Sequence, residues 1–362
     1  MDNETLPSAP PGGPHRVFLS GNVFNFGPNF ERVAAYLRTA GYDVTVGPRA
    51  APGVQMEFPR AELAALFGRM DAIVTSAQEN YSRDVLAAAG RLRVLVSPWL
   101  GLENIDVASA TELGIPIGFA AQPENYLGVA EATVACLGVL MKQIRQKERS
   151  LLESGWSGPH DGRMIRGKTV GLVGFGRVGA AVAARLQGWE VRLLVADPYT
   201  DTSRIEAACG RLVPLETVLR ESDVISLHAF LSPETRGLIG DAQLRLMKPT
   251  AFLINMSRGG LVDEGALTRA LVDRRIAGAA LDVFAAEPLP ADSPLRVLCG
   301  DRLILTPHNA GNGIEGADAS LRTVAENLAR GLAGEPPLYL SNPDVLPAWR
   351  ARLARLAAQG SV

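Results

Sequence analysis

Residues 169–179 read Thr-Val-Gly-Leu-Val-Gly-Phe-Gly-Arg-Val-Gly, and residues 191–197 read Val-Arg-Leu-Leu-Val-Ala-Asp. The first stretch is an apolar strand running into Gly174, Gly176 and Gly179, the G-x-G-x-x-G spacing. In turn, the three glycines permit a tight turn out of the strand, close approach of backbone to a pyrophosphate, and close helix–strand packing. The N–H groups of Arg177 and Val178 then sit at a helix N-terminus, where the peptide dipoles favour an anion. The second stretch ends in Asp197, 18 residues beyond Gly179, where a carboxylate can bond ribose hydroxyls. A carboxylate there repels a 2′-phosphate, and Pro198 and Tyr199 follow it in place of an arginine, so NAD is expected in preference to NADP. A glycine pattern alone is a weak signal, since any tight strand–helix turn uses it. The flanking strands and the alanine-rich helix after Gly179 supply the context the motif requires.

Outward from this core the same alternation recurs. Strand candidates at 169–173, 191–196, 224–227, 251–255, 278–282 and 303–306 are separated by helical patterns at 178–186, 215–221, 241–246 and 263–273. Six such strands predict a doubly wound parallel sheet. Earlier in the chain, strands at 16–20, 43–46, 72–75 and 94–96 alternate with helices at 30–40, 60–67 and 82–89, which predicts a small α/β domain. Residues 126–150 predict one long helix, with Val129, Thr133, Cys136, Leu137 and Leu140 at three- and four-residue steps. Residues 155–166, which include His160, read as a loop or arm. A last long helix is expected over 316–333, with the chain returning to its first domain, and a short helix within 343–362.

The length of 362 residues allows two domains, and 47% hydrophobic with 20% charged residues is ordinary globular usage. A net charge of −2 gives no electrostatic footprint for nucleic acid or an anionic membrane. Cys136, Cys209 and Cys299 are too few and too scattered for a disulfide framework or a zinc site. No metal is expected, and a reducing cytoplasm is the simplest reading. Residues 1–14 are polar and Pro/Gly-rich without the order of a secretory signal, and are expected to form a mobile tail. The apolar run 134–141 is too short for a bilayer, which needs about 20 residues.

Three phrases in the second half carry chemistry: Asn255-Met-Ser-Arg-Gly-Gly260, Leu281-Asp-Val-Phe-Ala-Ala-Glu-Pro288 and Thr306-Pro-His-Asn-Ala-Gly311. Each follows a predicted strand, and in open α/β sheets ligands bind outside the carboxyl ends of strands. Arg258 offers a planar fork that matches a carboxylate bidentately; a surface salt bridge is the plainer alternative, but two adjacent glycines favour close approach by something else. His308 is the natural acid–base group near neutral pH, and Glu287 beside it would orient the ring and favour its protonated form. Alone, a histidine here would more readily be read as a cap or a core residue. His228 also ends a strand and reads as a structural or cofactor-pocket residue; His15 and His160 receive no role.

Together these phrases resemble the D-isomer-specific 2-hydroxyacid dehydrogenase family, over about residues 70–345 and most strongly over 155–311. Gly101-Leu-Glu-Asn-Ile-Asp106 also resembles that family's substrate loop. The resemblance implies an α/β fold of two Rossmann-like domains with a cleft between them. These are a flavodoxin-like substrate domain (15–125 and 312–346) and a doubly wound NAD-binding domain (126–311), followed by an extension at 347–362. It implies hydride transfer between nicotinamide and C2 of a small 2-keto or D-2-hydroxy acid. Arg258 would anchor the substrate, and His308, paired with Glu287, would donate the proton. Asp282 would hold the carboxamide, backbone near Ala229, Met256 and Ser257 would line the cofactor, and Trp99, Leu100 and Gly101 would bind substrate. A homodimer built on the cofactor domain is also implied.

The chain departs from the family at Pro98-Trp99-Leu100, at Asn309 after the histidine, and at 118–126. These changes bear on the substrate, and Trp99 fits either a narrowed pocket or hinge packing. A phosphorylated substrate is not favoured, because Arg83, Arg91 and Arg93 read as solvated charges. Two other readings compete: an NAD(H)-sensing regulator on the same fold, and an oxidoreductase of formate or phosphite. Glu287, where the formate enzymes carry glutamine, weighs against the latter.

Overall fold

Along Thr169–Val173 the side chains alternate between two cores. Val170 and Leu172 enter one hydrophobic cluster and Val173 another; along Arg192–Ala196, Leu193 and Val195 join the first, Leu194 and Ala196 the second. A strand buried on both faces is a near-continuous apolar run, the signature of a parallel sheet covered by helices. The computed structural model describes residues 6–11, 14–21, 29–48, 56–75, 79–156 and 162–359. The chain divides into two compact units, Met1–Asn125 with Gly313–Val362, and Tyr126–Asn312.

The first unit holds β1 (Arg16–Leu19), β2 (Asp43–Val46), β3 (Ala72–Val74), β4 (Val94–Ser97) and β5 (Ile117–Phe119), all parallel, in the order β2-β1-β3-β4-β5. This is the flavodoxin-like strand order. Val17, Leu19, Val94 and Val96 pack with helices Asn29–Thr39 and Ile314–Ala333 on one face, while Phe18 and Leu95 pack with Phe67, Tyr81 and Leu86 on the other. Two elements here escape the sequence reading: β5, three residues long, and the helix Val107–Glu112, whose N-cap Asp106 accepts the Ser109 N–H.

Two expectations for the first unit are corrected. Residues 6–10, placed in a mobile tail, are docked: Ala9 N donates to Ala40 O at 3.0 Å, Tyr36 Oη to Pro7 O at 2.9 Å, and Leu6 and Ala9 lie against the core. The rest of that tail is described only at Pro11 and Pro14. The segment set apart as an extension is a fourteen-residue helix, Leu346–Gln359, belonging to this unit. Its Trp349 is 1% exposed and donates to Arg93 O, and the Arg352 guanidinium donates to the carbonyls of Ala89, Gly90, Leu92 and Leu113.

The second unit holds β6 (Thr169–Val173), β7 (Arg192–Ala196), β8 (Gly210–Leu212), β9 (Val224–Leu227), β10 (Phe252–Asn255), β11 (Gly278–Leu281) and β12 (Leu303–Leu305). All are parallel, in the order β12-β11-β10-β9-β6-β7-β8, so the winding reverses between β6 and β9. The sheet has seven strands where six were expected; β8 is a short, largely exposed edge strand without an apolar signal. The helix expected over 126–150 is two, Pro123–Lys142 and Ile144–Ser154, bent by 52° at Gln143, whose φ of 52° leaves the helical region. His160 lies outside the described residues. Among the described residues no single helix is long and apolar enough to cross a membrane, and no cluster of three or more His, Cys, Asp or Glu side chains is arranged to hold a metal.

Candidate active site

In the second unit every candidate residue sits at or just beyond the carboxyl end of a strand. After β6, Gly174 adopts φ +95°, and a Cβ there would meet the His228 carbonyl carbon at 2.6 Å. Glycine is required both by the turn and by the neighbouring strand end. A Cβ on Gly179 would meet Gly174 O at 2.4 Å, so the helix Arg177–Leu186 closes tightly on the turn. A Cβ on Gly176 would meet no heavy atom of the described residues within 4 Å, and the Gly176 N-cap offers no side chain to the helix that follows. The turn is therefore open on the side a Gly176 side chain would occupy, and the N–H groups of Arg177 and Val178, in the first turn of the helix, have no partner within it, as a pyrophosphate site requires.

Asp197 ends β7. Its Oδ2 accepts the Phe175 N–H at 2.6 Å, and its Oδ1 accepts the Tyr199 and Thr200 N–H groups at 2.8 and 3.0 Å. Burial alone would raise its pKa, but these donors win and hold the carboxylate below its ordinary range. A charged, backbone-anchored carboxylate beside an open glycine turn fits a dinucleotide. Residues Gly174, Gly176, Arg177, Val178, Gly179 and Asp197 would hold it.

After β10, Asn255 shapes the turn that carries Arg258. Its Oδ1 accepts the Ser257 N–H at 3.1 Å and its Nδ2 donates to Arg258 O at 2.9 Å. Ser257 Oγ donates to Ala229 O at 2.7 Å, tying this turn to the end of β9, while the Met256 side chain is buried beneath. The Arg258 Nη1 donates to Ser257 O at 2.7 Å. A Cβ on Gly259 would fall 1.9 Å from Phe284 C, so the Arg258 turn lies directly against the loop that bears Glu287.

That loop and the turn after β12 meet. His308 Nδ1 is 2.7 Å from Glu287 Oε2, and Glu287 Oε1 accepts the Phe284 N–H at 2.9 Å. Burial pulls the His308 pKa down, but the hydrogen bond and charge of Glu287 outweigh it and the net shift is upward. Arg258 opposes the rise and Asp282 adds to it. Glu287 moves the other way: burial raises it, and the bond and charge of His308, the Phe284 N–H and Arg258 bring it below its ordinary value. Both shifts favour the imidazolium–carboxylate pair. The His308 side chain remains 48% exposed, so the ring is oriented yet reachable.

Asp282 is buried, and its Oδ1 accepts from Thr306 Oγ1 at 2.6 Å and from Asn309 N and Ala310 N at 3.0 Å each. Its pKa is raised, burial outweighing these donors. His228 differs from His308: burial pushes its pKa to about 4, and its Nε2 contacts Ser226 Oγ at 2.9 Å. It is neutral near pH 7, suited to structure more than to proton donation. Trp99, Leu100 and Gly101 belong to the first unit, on the turn after β4, where Trp99 O accepts the Ala120 N–H.

Asn255, Thr306 and Glu264, whose Oε1 accepts the Ala285 N–H, received no role from sequence. Asn255 and Thr306 open two of the phrases that carry the chemistry, and that position at a strand end was the available signal.

A family model described as "D-isomer specific 2-hydroxyacid dehydrogenase, NAD binding domain" matches residues 134–310. A glyoxylate reductase of Korarchaeum cryptofilum is 38% identical over 286 residues, covering 76% of this chain and 84% of the relative. A D-3-phosphoglycerate dehydrogenase of Archaeoglobus fulgidus is 35% identical over 309 residues, covering 84% of this chain; the chain spans only 56% of that relative's length. Among solved structures, a 2-hydroxyacid dehydrogenase from Ketogulonicigenium vulgare superposes with a TM-score of 0.76 at 27% identity, covering 91% of this chain and 98% of its own. The apo D-lactate dehydrogenase of Escherichia coli gives 0.71 at 25% identity, covering 90% and 99%. With its NAD-binding domain matched and its length largely shared with the glyoxylate reductase, the chain belongs to the D-isomer-specific 2-hydroxyacid dehydrogenase family.

Proposed function

We propose that this protein is an NAD-dependent dehydrogenase that interconverts a small 2-keto acid and a D-2-hydroxy acid. The contact of His308 Nδ1 with Glu287 Oε2 at 2.7 Å, with Arg258 close enough to influence both charges, carries this reading. Bound NADH would supply the hydride to the keto carbon. Arg258 would hold the substrate carboxylate and polarise its carbonyl through the guanidinium fork. His308, charged by its pairing with Glu287, would give its Nε2 proton to the keto oxygen and retake it in the reverse direction. Asp282 would take the nicotinamide carboxamide, and backbone near Ala229, Met256 and Ser257 would line that end of the cofactor. Trp99, Leu100 and Gly101 would bind substrate.

Asp197 supports NAD over NADP, because its fixed charge repels a 2′-phosphate. The pairing of Arg83 with Glu112 at 2.6 Å and of Arg91 with Asp71 at 3.2 Å supports a substrate without phosphate. Apolar side chains standing in water support a homodimer through the second unit: Leu152 is 80% and Trp156 96% exposed, on and just after the helix Ile144–Ser154. Three unpaired thiols support a reducing compartment such as the cytoplasm.

The test is NADH oxidation followed by absorbance against a panel of 2-keto acids, glyoxylate first because of the relative that carries that name. Turnover that His308→Gln abolishes is the expected result. Tight NADH binding without turnover on any panel member overturns the enzyme reading and leaves an NAD(H)-sensing protein.

A further inference from the structure

The backbone of His308 has φ +53°, a left-handed conformation that non-glycine residues adopt only when their surroundings impose it. The surroundings here converge on one residue. The His308 N–H donates to Asp282 O at 2.8 Å, and the next two N–H groups, of Asn309 and Ala310, both donate to Asp282 Oδ1. The third donor to that oxygen, and the shortest at 2.6 Å, is the Thr306 hydroxyl. Asp282 is itself fixed by its N–H to Asn255 O at 3.0 Å, so the frame extends into the sheet. The histidine is thus the crest of a turn whose two limbs, Thr306 on one side and Asn309–Ala310 on the other, are pinned to a single buried oxygen.

We propose that Thr306 is a positioning residue for His308: its hydroxyl closes the turn on Asp282 Oδ1 and so holds the imidazole against Glu287. This deepens, and rests on, the assignment of His308 as proton donor. Without the hydroxyl, Asp282 keeps only two main-chain donors at that oxygen, its charge is less well held, and the crest of the turn is released from one limb. Both effects act on the same ring. The charged groups that face His308 are Glu287, Arg258 and Asp282. Glu287 and Asp282 stabilise the imidazolium and Arg258 opposes it; Asp282 in turn faces the Cys136 thiol of the helix Pro123–Lys142. Removing the hydroxyl weakens the two favourable partners and leaves the unfavourable one, so the ring should lose its proton at lower pH.

Thr306→Val keeps the shape and deletes the donor; Thr306→Ser restores it. The measurement is a pH titration of the imidazole NMR signals of the cofactor-free protein, which has four histidines, with His308 assigned from the His308→Gln spectrum. The expected result is a fall of about half a pH unit or more in the His308 midpoint for the valine variant, with return toward the native midpoint for serine. The same displacement should appear in the pH profile of kcat/KM. An unchanged midpoint in Thr306→Val, or an equal fall in Thr306→Ser, overturns the proposal. Should Thr306→Val not fold, Thr306→Ala, which also lacks the hydroxyl, carries the titration: a native midpoint in Thr306→Ala overturns the proposal. Because the NMR reading needs no turnover, its failure is distinct from failure of the proton-donor assignment, which would show as activity surviving in His308→Gln.

Discussion

His308 Nδ1 and Glu287 Oε2 stand 2.7 Å apart, and the other oxygen of Glu287 is held by the Phe284 N–H. The carboxylate is therefore fixed from behind and presents one oxygen to the ring. Burial alone would leave His308 neutral, and it is Glu287 that lifts its pKa above the ordinary value. Glu287→Gln keeps a hydrogen-bond partner and removes the charge, so the His308 pKa falls. On the proposed assignment the protonated ring would be the active form in the reductive direction, and its population is lost as pH rises through that pKa. The alkaline limb of kcat/KM for keto-acid reduction should move to lower pH, with a loss of about tenfold or more above pH 7. In the oxidative direction the acid limb should move the same way. A profile that stays in place while activity falls uniformly would assign Glu287 a purely steric role.

Asp197 has two separable duties. It closes the turn by accepting three main-chain N–H groups, and on the proposed reading its negative charge would meet the ribose. Asp197→Asn retains one acceptor oxygen and discards the charge. Its ratio of kcat/KM for NADH over NADPH should fall by about tenfold, the scale of one charge-assisted hydrogen bond and the repulsion it replaces. An unchanged ratio would show that cofactor choice lies elsewhere on the rim.

Strands buried on both faces were legible because their residues have no polar alternative: β6, β7, β9 and β10 read as apolar runs and form the centre of the second sheet. The edge strand β8 was not, because Gly210–Leu212 is mostly solvated and its pairing with β7 is a tertiary choice. The break at Gln143 was hidden for a related reason: the apolar steps run along the helix Pro123–Lys142, and periodicity does not register a single left-handed residue. At the site, Arg258, Glu287 and His308 stood out by residue type and by place after a strand. Asn255 and Thr306 did not, because an amide or a hydroxyl takes its meaning from the neighbours that only folding brings to it. The docking of Leu6 and Ala9 was likewise invisible in a Pro/Gly-rich composition.

Gly259 lies where the Arg258 turn meets the loop that bears Glu287. A methyl group there would overlap Phe284 C at 1.9 Å and Phe284 O at 2.0 Å, and both are backbone atoms that cannot rotate away. Gly259→Ala must part the Arg258 turn from the Glu287 loop. Overpacking of this kind costs about 1–3 kcal/mol, so the melting temperature should drop by several degrees. Because displacement of about 1 Å at a reacting group can cost roughly a hundredfold, kcat/KM should fall far more than stability alone explains. Native activity in this variant would show that the two loops move independently.

Trp349 tests the last helix. It is 1% exposed, its indole N–H donates to Arg93 O at 2.8 Å, and nearby Arg352 gathers the carbonyls of Ala89, Gly90, Leu92 and Leu113. The helix thus satisfies polar ends of the first unit as well as filling its core, which a dispensable extension would not do. Trp349→Ala leaves a cavity that typically costs about 3–5 kcal/mol. For a unit of this size the melting temperature of the first transition should fall by roughly 10 °C, read by circular dichroism or calorimetry. The glycine turn and Asp197 belong to the other unit. NADH binding by the variant, measured by fluorescence well below that transition, should therefore stay within about twofold of native. A change of less than about 2 °C would mean that Trp349 is not part of the cooperative core, and lost NADH binding at low temperature would mean that the first unit supports the cofactor turn directly.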